Sequence, residues 1–323
     1  MSFYQQLVAA AEGSSRFVLG IIAGAKGSTP QKRGAKALFF EDGRIAGTLG
    51  GGCLEAEVRQ RAFDTLRSGD PAHFELILDH DFGWDDGLIC GGKVVCILLP
   101  AARNERALWQ ALARRDKALT WEVRADFSLG LVSGADATTR LYRETVLPPE
   151  QLWIAGAGHI ARAVAPLAEQ LDFAVSVFDD RADLANLGFF PAATRLRVDY
   201  WEKLLEEDLP ASPTLGLVVT RGHQHDAMAL SKWIKKPFTF LGMIGSKRKK
   251  RIIFSHFLDE GIATPEQLEA VACPVGLPIG GISVNEIAVS IVAQFVQNRS
   301  ERRISREAAA AISPKLSLTS PQR

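Results

Sequence analysis

The chain has 323 residues, 47% of them hydrophobic, and its 38 basic side chains nearly balance its 37 acidic ones. This length predicts about two domains, and the composition is typical of a folded globular protein. The balanced charge gives no indication of nucleic-acid binding, and no apolar run reaches the roughly 20 residues that a transmembrane helix needs. We therefore expect neither a nucleic acid nor a membrane as a partner.

The beginning of the chain and its cysteines both favour a cytoplasmic protein. The first residues, MSFYQQLVAAAEGSSR, lack the basic segment and the long apolar segment of a secretory signal. Four cysteines in a chain of this length do not form a disulfide framework. We expect the thiols to be reduced.

Residues 1–147 predict a mixed α/β domain. The predicted elements are a helix in FYQQLVAAAE, a strand in FVLGIIAG, a hairpin in ALFFEDGRIAGTLG, a helix from Cys53 to Leu66, strands in FELILD and KVVCILLP, and a helix in NERALWQALARR. The dipeptide Asp42-Gly43 favours a tight turn in the hairpin. Pro148-Pro149 follows as a candidate linker, because consecutive prolines end regular structure.

Residues 151–300 change to a regular alternation of strands and helices. The predicted strands are LWIAG, AVSVFD, TRLRV, LGLVVT and FTFLGMIG, and a segment of helical character follows each of them. This alternation predicts a Rossmann-like domain with a doubly wound parallel sheet. The polar residues 301–323 favour a disordered tail.

The motif LWIAGAGHIARAV places Gly156, Gly158 and Ala161 in the order of a dinucleotide-binding fingerprint. The first glycine permits the tight turn, the second lets backbone amides approach a pyrophosphate, and the small third residue allows close packing. The next strand ends in Asp179-Asp180, where an acid would bind a ribose hydroxyl. Alternatively, the glycines only build the turn and Asp179 caps the following helix.

The motif VVTRGHQHDAM ends another predicted strand, which places His223, His225 and Asp226 at the same sheet edge as the glycines. We favour polar contacts to a bound cofactor. In one alternative Asp226 caps the helix and the histidines are solvated. The third alternative is a metal site, but the sequence offers no second cluster to complete a coordination shell.

The motif GMIGSKRKKRI follows the fifth strand and predicts a helix that begins at Ser246 and Lys247. Free backbone amides, the helix dipole and the cations favour an anion such as phosphate. The alternative is a solvated basic face with Ser246 as a simple N-cap.

The motif GTLGGGCLEAEV places three glycines, at 50–52, directly before Cys53 at the start of a predicted helix. Amide groups in the first turn of a helix favour the thiolate form of a cysteine, and glycines let a ligand approach the backbone closely. A second thiol, Cys90, precedes Gly91 in ICGGK, which suggests a shared pocket for both thiols. Cys96 lies inside a predicted strand and is interpreted as a core residue.

These motifs together resemble the xanthine dehydrogenase accessory family, also called the XdhC/CoxI family, from about Val18 to Val296. The first half carries GSTPQKRGAKALFFEDGRIAGTLGGGCLEAEV and CGGKVVCILLP. The second half carries LWIAGAGHIARAVAPLAEQLDFAVSVFDDR, TRGHQHD, IGSKRKK and PVGLPIGGISVNEIAVSIVAQ, in the order that is typical of the family.

The resemblance implies a chaperone that binds the molybdenum cofactor, in its molybdopterin or nucleotide form, and has no turnover of its own. It implies that the protein holds the cofactor during sulfuration and delivers it to a molybdenum hydroxylase of the xanthine dehydrogenase type. A cysteine desulfurase, as sulfur donor, is the second expected partner. Cys53 is the expected residue at the metal. The other expected cofactor-binding residues are Gly50, Gly51, Gly52, Cys90, Gly91, Gly156, Gly158, His159, Asp179, His223, His225, Asp226, Ser246 and Lys247.

Two alternatives stay open. An NAD(P)-dependent oxidoreductase would use the Rossmann fingerprint and Asp179 for its nucleotide and would line its hydride site with His223 and His225. An interaction protein without a ligand would use the apolar helix VNEIAVSIVAQFVQ, either in its own core or as the surface of a homodimer. A charged residue at Ile291 would distinguish these two positions of the helix, because a buried charge is costly.

Overall fold

The computed structural model describes residues 2–78, 91–132, 139–192 and 194–312. The chain divides into two compact units, Met1–Pro148 and Pro149–Arg323. The boundary therefore falls within the proline pair.

The first unit contains a five-stranded and a three-stranded antiparallel sheet with three α-helices. Its elements are α1 (Phe3–Glu12), β1 (Phe17–Lys26), β2 (Lys36–Phe40), β3 (Ile45–Gly47), α2 (Gly52–Ser68), β4 (Ala72–Ile77), β5 (Lys93–Leu99), a 3₁₀ turn (Pro100–Asn104), α3 (Arg106–Arg114), β6 (Leu119–Arg124), β7 (Leu129–Leu131) and β8 (Arg140–Val146). The larger sheet has the order β3-β2-β1-β5-β4 and the smaller one the order β7-β6-β8.

Side chains on β1 alternate between two cores, as the period of two residues in a strand requires. Leu19 and Ile21 belong to the core that includes α1, α3 and the smaller sheet. Val18 and Ile22 belong to the core under α2, where Leu54 and Val58 are fully buried. The alternation explains why this strand reads as continuously apolar in the sequence.

A buried polar cluster joins the two sheets of the first unit around one carboxylate. Glu144 accepts hydrogen bonds from Tyr4 at 2.7 Å and Tyr142 at 3.1 Å and forms an ion pair with Lys36 at 2.6 Å. Burial lowers the pKa of Lys36 and raises the pKa of Tyr4 and of Tyr142. Because each polar group has a partner, burial of the cluster is tolerated.

The second unit is a parallel six-stranded sheet with helices on both faces. Its elements are β9 (Glu150–Ala155), α4 (His159–Gln170), β10 (Phe173–Asp179), β11 (Arg195–Val198), α5 (Trp201–Leu204), β12 (Thr214–Val218), α6 (His223–Trp233), β13 (Phe240–Met243), α7 (Lys247–Asp259), α8 (Pro265–Glu269), β14 (Val271–Ala272) and α9 (Val284–Ile312). The strand order is β11-β10-β9-β12-β13-β14, so the order reverses between β9 and β12. This confirms the predicted fold class: a mixed α/β unit followed by a Rossmann-like unit.

The two faces of this sheet are covered by different helices. Buried side chains of α4 and α9, such as Val164 and Phe295, share one core. Leu230 of α6 and Phe257 of α7 belong to the other core. The sequence did not reveal β14, because two residues that pair with β13 have no recognisable pattern.

Helix α9 corrects one expectation and decides between two alternatives. It continues to Ile312, so residues 301–312 are helical where the sequence favoured a disordered tail. Ile291 is fully buried in the core that α9 shares with α4, so its side chain does not offer a dimer surface. None of the described helices is both long and apolar enough to cross a membrane.

Candidate functional site

The loops that follow β9, β10, β12 and β13 lie at the carboxyl edge of the parallel sheet. In open α/β sheets, ligands bind at this edge, where the strand order reverses. Here a cavity of about 600 Å³ lies at the reversal. Its walls are formed by Gly158, His159, Ile160, Arg162, Arg181, Leu184, Val219, Thr220, Arg221, Ile244 and Val284. A volume of this size suits a small-molecule ligand.

The two fingerprint glycines are needed for different reasons. Gly156 has φ +116°, and a Cβ atom there would lie 2.4 Å from the carbonyl oxygen of Val219. Gly158 has φ −76°, which any residue adopts, and a Cβ atom there would meet nothing within 4 Å. Gly156 is therefore required by the turn, whereas Gly158 leaves open space at the cavity wall.

Asp179 is not available as the ribose ligand that the sequence predicted. It is fully buried, and its Oδ2 accepts a hydrogen bond from the Ala157 amide at 2.7 Å. Arg181 donates to Oδ1 and Oδ2, each at 2.8 Å. Burial raises the pKa of Asp179, but the hydrogen bonds from Arg181 and Ala157 outweigh this, so the pKa is lowered overall. Asp179 does not cap a helix either, because β11 follows it.

The sequence did not single out the three arginines that line the cavity. Arg181 pairs with Asp179, and Arg221 donates to Asp180 at 3.0 and 3.3 Å. Arg162 lies 3.5 Å above the ring of Phe189. The motif DDR after the second strand could have drawn attention to Arg181. The position of all three arginines at the cavity depends on the tertiary fold.

The HQHD motif lies on the predicted edge but not on the cavity wall. His223 is exposed at the first position of α6, and His225 contacts Arg221 at 2.9 Å. Asp226 is fully buried, accepts hydrogen bonds from the amide and hydroxyl of Thr220 at 2.9 and 2.8 Å, and forms an ion pair with Lys249. Asp226 thus fastens the loop after β12 to α7, and a direct contact of its carboxylate with a cofactor stays a prediction.

Ser246 caps α7, since its hydroxyl accepts a hydrogen bond from the Lys249 amide at 3.2 Å. Lys247 is exposed at the first position of the helix. Neither residue lines the cavity, although Ile244 of the same loop does. Their role as phosphate contacts stays a prediction.

The glycine-rich loop of the first unit places Cys53 in the first turn of α2, exposed to solvent. Gly51 and Gly52 have φ +70° and +58°, and a Cβ atom on either would meet nothing within 4 Å. A Cβ atom on Gly50 would lie 2.5 Å from Pro30. The loop thus packs closely at Gly50 and has open space beside Gly51 and Gly52.

Glu55, which the sequence did not single out, holds this loop from one turn into α2. Its Oε2 accepts hydrogen bonds from the Thr48 hydroxyl at 2.8 Å, the Leu49 amide at 2.9 Å and the Gly51 amide at 3.4 Å. An acidic residue in the first helical turn is also favoured by the helix dipole. Its spacing from the glycines could have been recognised as an N-terminal capping signal.

The loop after β1 contacts the backbone near both glycine motifs of the first unit. A Cβ atom on Gly92 would lie 2.0 Å from the carbonyl oxygen of Ser28, and one on Gly27 would lie 3.3 Å from the carbonyl oxygen of Gly91. Gly50, as noted, packs on Pro30 of the same loop. Cys90 lies outside the described residues, so the shared pocket of the two thiols stays a prediction.

Among residues 2–78, 91–132, 139–192 and 194–312, no group of three or more histidine, cysteine or acidic side chains is placed to hold a metal ion. The metal alternative for His223, His225 and Asp226 is therefore not supported. Cys96 is buried, as predicted, and burial raises the pKa of its thiol to about 12. Its burial leaves Cys53 as the exposed thiol of the described part of the first unit.

Both halves of the chain match models of one family. The model described as the XdhC Rossmann domain matches residues 152–295, and the model described as the XdhC and CoxI family matches residues 10–78. The first match contains all the walls of the cavity, and the second contains the Cys53 loop.

Three relatives extend these matches over most of the chain. A protein of Bacillus subtilis (strain 168) that is named as a probable xanthine dehydrogenase subunit is 26% identical over 330 residues, which span 92% of this chain and 98% of that relative. The molybdenum cofactor insertion chaperone PaoD of Escherichia coli (strain K12) is 23% identical over 290 residues, which span 87% of this chain and 83% of PaoD. A crystal structure of a xanthine dehydrogenase from Bacillus halodurans has a TM-score of 0.79 and 26% identity, and covers 94% of this chain and 97% of that one. The chain belongs to the XdhC and CoxI family.

Proposed function

We propose that this protein binds the molybdenum cofactor as cargo, holds it for sulfuration and inserts it into a molybdenum hydroxylase of the xanthine dehydrogenase type. The cavity beside Gly158 is the observation that carries the proposal. Membership of the family supports an accessory role, and the name of the relative PaoD supports the molybdenum cofactor as the cargo.

The residues of the second unit fit the organic part of this cargo, which is a pterin ring system with a phosphate. The cavity of about 600 Å³ has room for such a group. The amides at the start of α4 and the guanidinium of Arg162 supply hydrogen-bond donors for the phosphate. The open position at Gly158 lets the cargo approach these amides.

The first unit offers a thiol that suits a soft metal centre. Cys53 is exposed and directly follows three glycines, which have no side chains. Thiolates are favoured ligands of soft metals, so Cys53 would suit the metal of such a cargo. In the proposal, Cys53 is the candidate ligand that the first unit offers to molybdenum, and Glu55 holds the loop that presents the thiol.

The experiment measures cofactor retention by the full chain. The protein is incubated with molybdenum cofactor released from a molybdoenzyme and passed through a desalting column, and the retained molybdenum and pterin are quantified. We expect retention by the wild type and by Ala56→Ser, a control on the same exposed helical turn, and weaker retention by Cys53→Ala. Equal, weak retention by wild type and Cys53→Ala contradicts the ligand role of Cys53.

The delivery step has its own test. The loaded protein is mixed with a cofactor-free hydroxylase of the xanthine dehydrogenase type, and the appearance of hydroxylase activity is followed with and without a cysteine desulfurase. We expect faster activation than with free cofactor, and a further increase with the desulfurase and a sulfur source. Activation no faster than with free cofactor contradicts the insertion function.

A further inference from the structure

The charges around the cavity leave one guanidinium without a carboxylate partner. Arg181 is paired with Asp179, and Arg221 with Asp180. Among the described residues, no carboxylate forms an ion pair with Arg162, which also lines the cavity. The cavity therefore has an excess positive charge at Arg162.

Arg162 is held in one orientation before any ligand binds. Its Nε donates a hydrogen bond to the carbonyl oxygen of Ala157 at 3.1 Å, and its guanidinium stacks on Phe189 at 3.5 Å. Within the described part of the chain, these contacts leave the two terminal nitrogens of the guanidinium for another acceptor. A pre-oriented guanidinium loses little conformational entropy on binding and matches the oxygens of a phosphate.

The same cavity lacks the group that recognises a nucleotide diol in related folds. That acid, Asp179, is fully buried and occupied by Arg181 and the Ala157 amide. The cavity lining also includes apolar side chains, among them Ile160, Val219 and Ile244. Apolar walls suit the face of a flat ring and not a sugar hydroxyl.

We propose that Arg162 is the residue that makes ligand binding in this cavity depend on a phosphate monoester. Arg162 and the first amides of α4 bind the phosphate, and the apolar part of the lining contacts the ring system of the ligand. Dinucleotides that rely on ribose-diol recognition bind weakly. This inference deepens the proposed function and rests on it for the identity of the cargo.

The test uses guanosine monophosphate as the probe, because guanine and pterin share a fused aminopyrimidinone ring. Isothermal titration calorimetry on the full chain compares guanosine monophosphate with guanosine, inorganic phosphate and NAD. We expect guanosine monophosphate to bind at least about tenfold more tightly than each of the other three, which is the scale of a charged hydrogen bond.

The variants Arg162→Gln and Arg162→Lys are compared with the matched control Arg299→Gln. Arg299 also donates to a backbone carbonyl, that of Leu171 at 2.9 Å, and also stacks on a phenylalanine, Phe173 at 4.3 Å, but it lies outside the cavity. We expect Arg162→Gln to lose about tenfold or more in affinity for guanosine monophosphate. We expect Arg162→Lys to lose less affinity than Arg162→Gln, and we expect Arg299→Gln to keep wild-type affinity. Thermal unfolding checks that each variant is folded.

Four results overturn the inference: no binding of guanosine monophosphate, equal binding of guanosine, equal binding of inorganic phosphate, or equal losses in Arg162→Gln and Arg299→Gln. The proposed function fails separately, when the wild-type chain does not retain the molybdenum cofactor. Retention of the cofactor by wild type and Arg162→Gln alike overturns the role of Arg162 and leaves the carrier function in place.

Discussion

Each unit of the protein places a glycine-rich loop directly before a helix, but the glycines of the two loops differ in backbone conformation and in the space around them. In the first unit, Gly51 and Gly52 adopt positive φ angles beside open space. In the second unit, Gly156 combines a positive φ with close packing, and Gly158 combines an ordinary φ with open space.

Gly158 is the informative case, because neither the backbone nor a neighbouring atom excludes a side chain there. A glycine at such a position leaves room for a ligand to approach the backbone, and at Gly158 this room opens on the cavity. In the first loop the positive φ angles alone account for the glycines. The comparison therefore identifies the cavity of the second unit as the better-supported binding site, and the Cys53 loop as a presented thiol.

The largest effect is expected for Gly156→Ala. Strain at positive φ and the clash with Val219 together cost about 4 kcal/mol in the free energy of unfolding. Urea unfolding of the full chain measures this change. A loss of less than about 1 kcal/mol, the size of a routine surface change, contradicts the packing argument.

A smaller loss is expected for Asp226→Asn. Removal of the charge breaks a buried ion pair with Lys249, and because Lys249 is partly exposed, we expect a loss of about 2 kcal/mol. The control is Asp199→Asn, which breaks an exposed pair with Lys203 in the same unit. Equal effects in urea unfolding would show that burial of Asp226 does not strengthen its pair.

Glu55→Gln tests how the first loop is held. Loss of the carboxylate weakens three hydrogen bonds, which costs about 1 kcal/mol and exposes the Leu49 and Gly51 amides to faster hydrogen exchange. Glu57→Gln on the same helix is the control, because Glu57 pairs only with Arg61 in the described structure. If the two variants exchange at the same rates, Glu55 does not hold the loop.

The smallest effect is a pH dependence from Asp179, whose pKa is lowered in the folded protein. The unfolded chain takes up this proton near its ordinary pKa of about 3.9, so stability is present above that value and is lost as the pH falls through the folded pKa. In Asp179→Asn this loss is absent, so the free energy of unfolding declines less between about pH 5 and pH 3 than in the wild type. The same slope in the wild type and in Asp179→Asn contradicts the assignment.

The sequence predicted the positions of the key residues better than their roles. The fingerprint glycines and the parallel sheet were recognisable because they depend on local spacing. Asp179 stands where a ribose ligand is expected, but Arg181, two residues later, folds back onto it. Which group pairs with a carboxylate depends on how deeply that carboxylate is buried, and burial cannot be read from the local sequence.

The residues that line the cavity could not be predicted from the sequence, for a different reason. Ile160, Leu184 and Val284 come from separate segments that meet only in the folded unit. Arg162 was within the quoted fingerprint, but its stacking partner Phe189 lies on a later loop. Glu55 was missed but could have been identified from the sequence, because its spacing from the glycines is local.

Gly158→Ala tests the central claim, that the cavity beside this glycine holds the cargo, most directly. The substitution is expected to change the free energy of unfolding by no more than about 1 kcal/mol. The φ of Gly158, −76°, suits alanine, and a Cβ atom added there would meet nothing within 4 Å. Gly222→Ala is the matched control, an N-cap glycine with extended backbone and open space that does not line the cavity. We predict that the folded Gly158→Ala chain loses retention of the molybdenum cofactor while Gly222→Ala keeps it. Wild-type retention by Gly158→Ala would contradict the account.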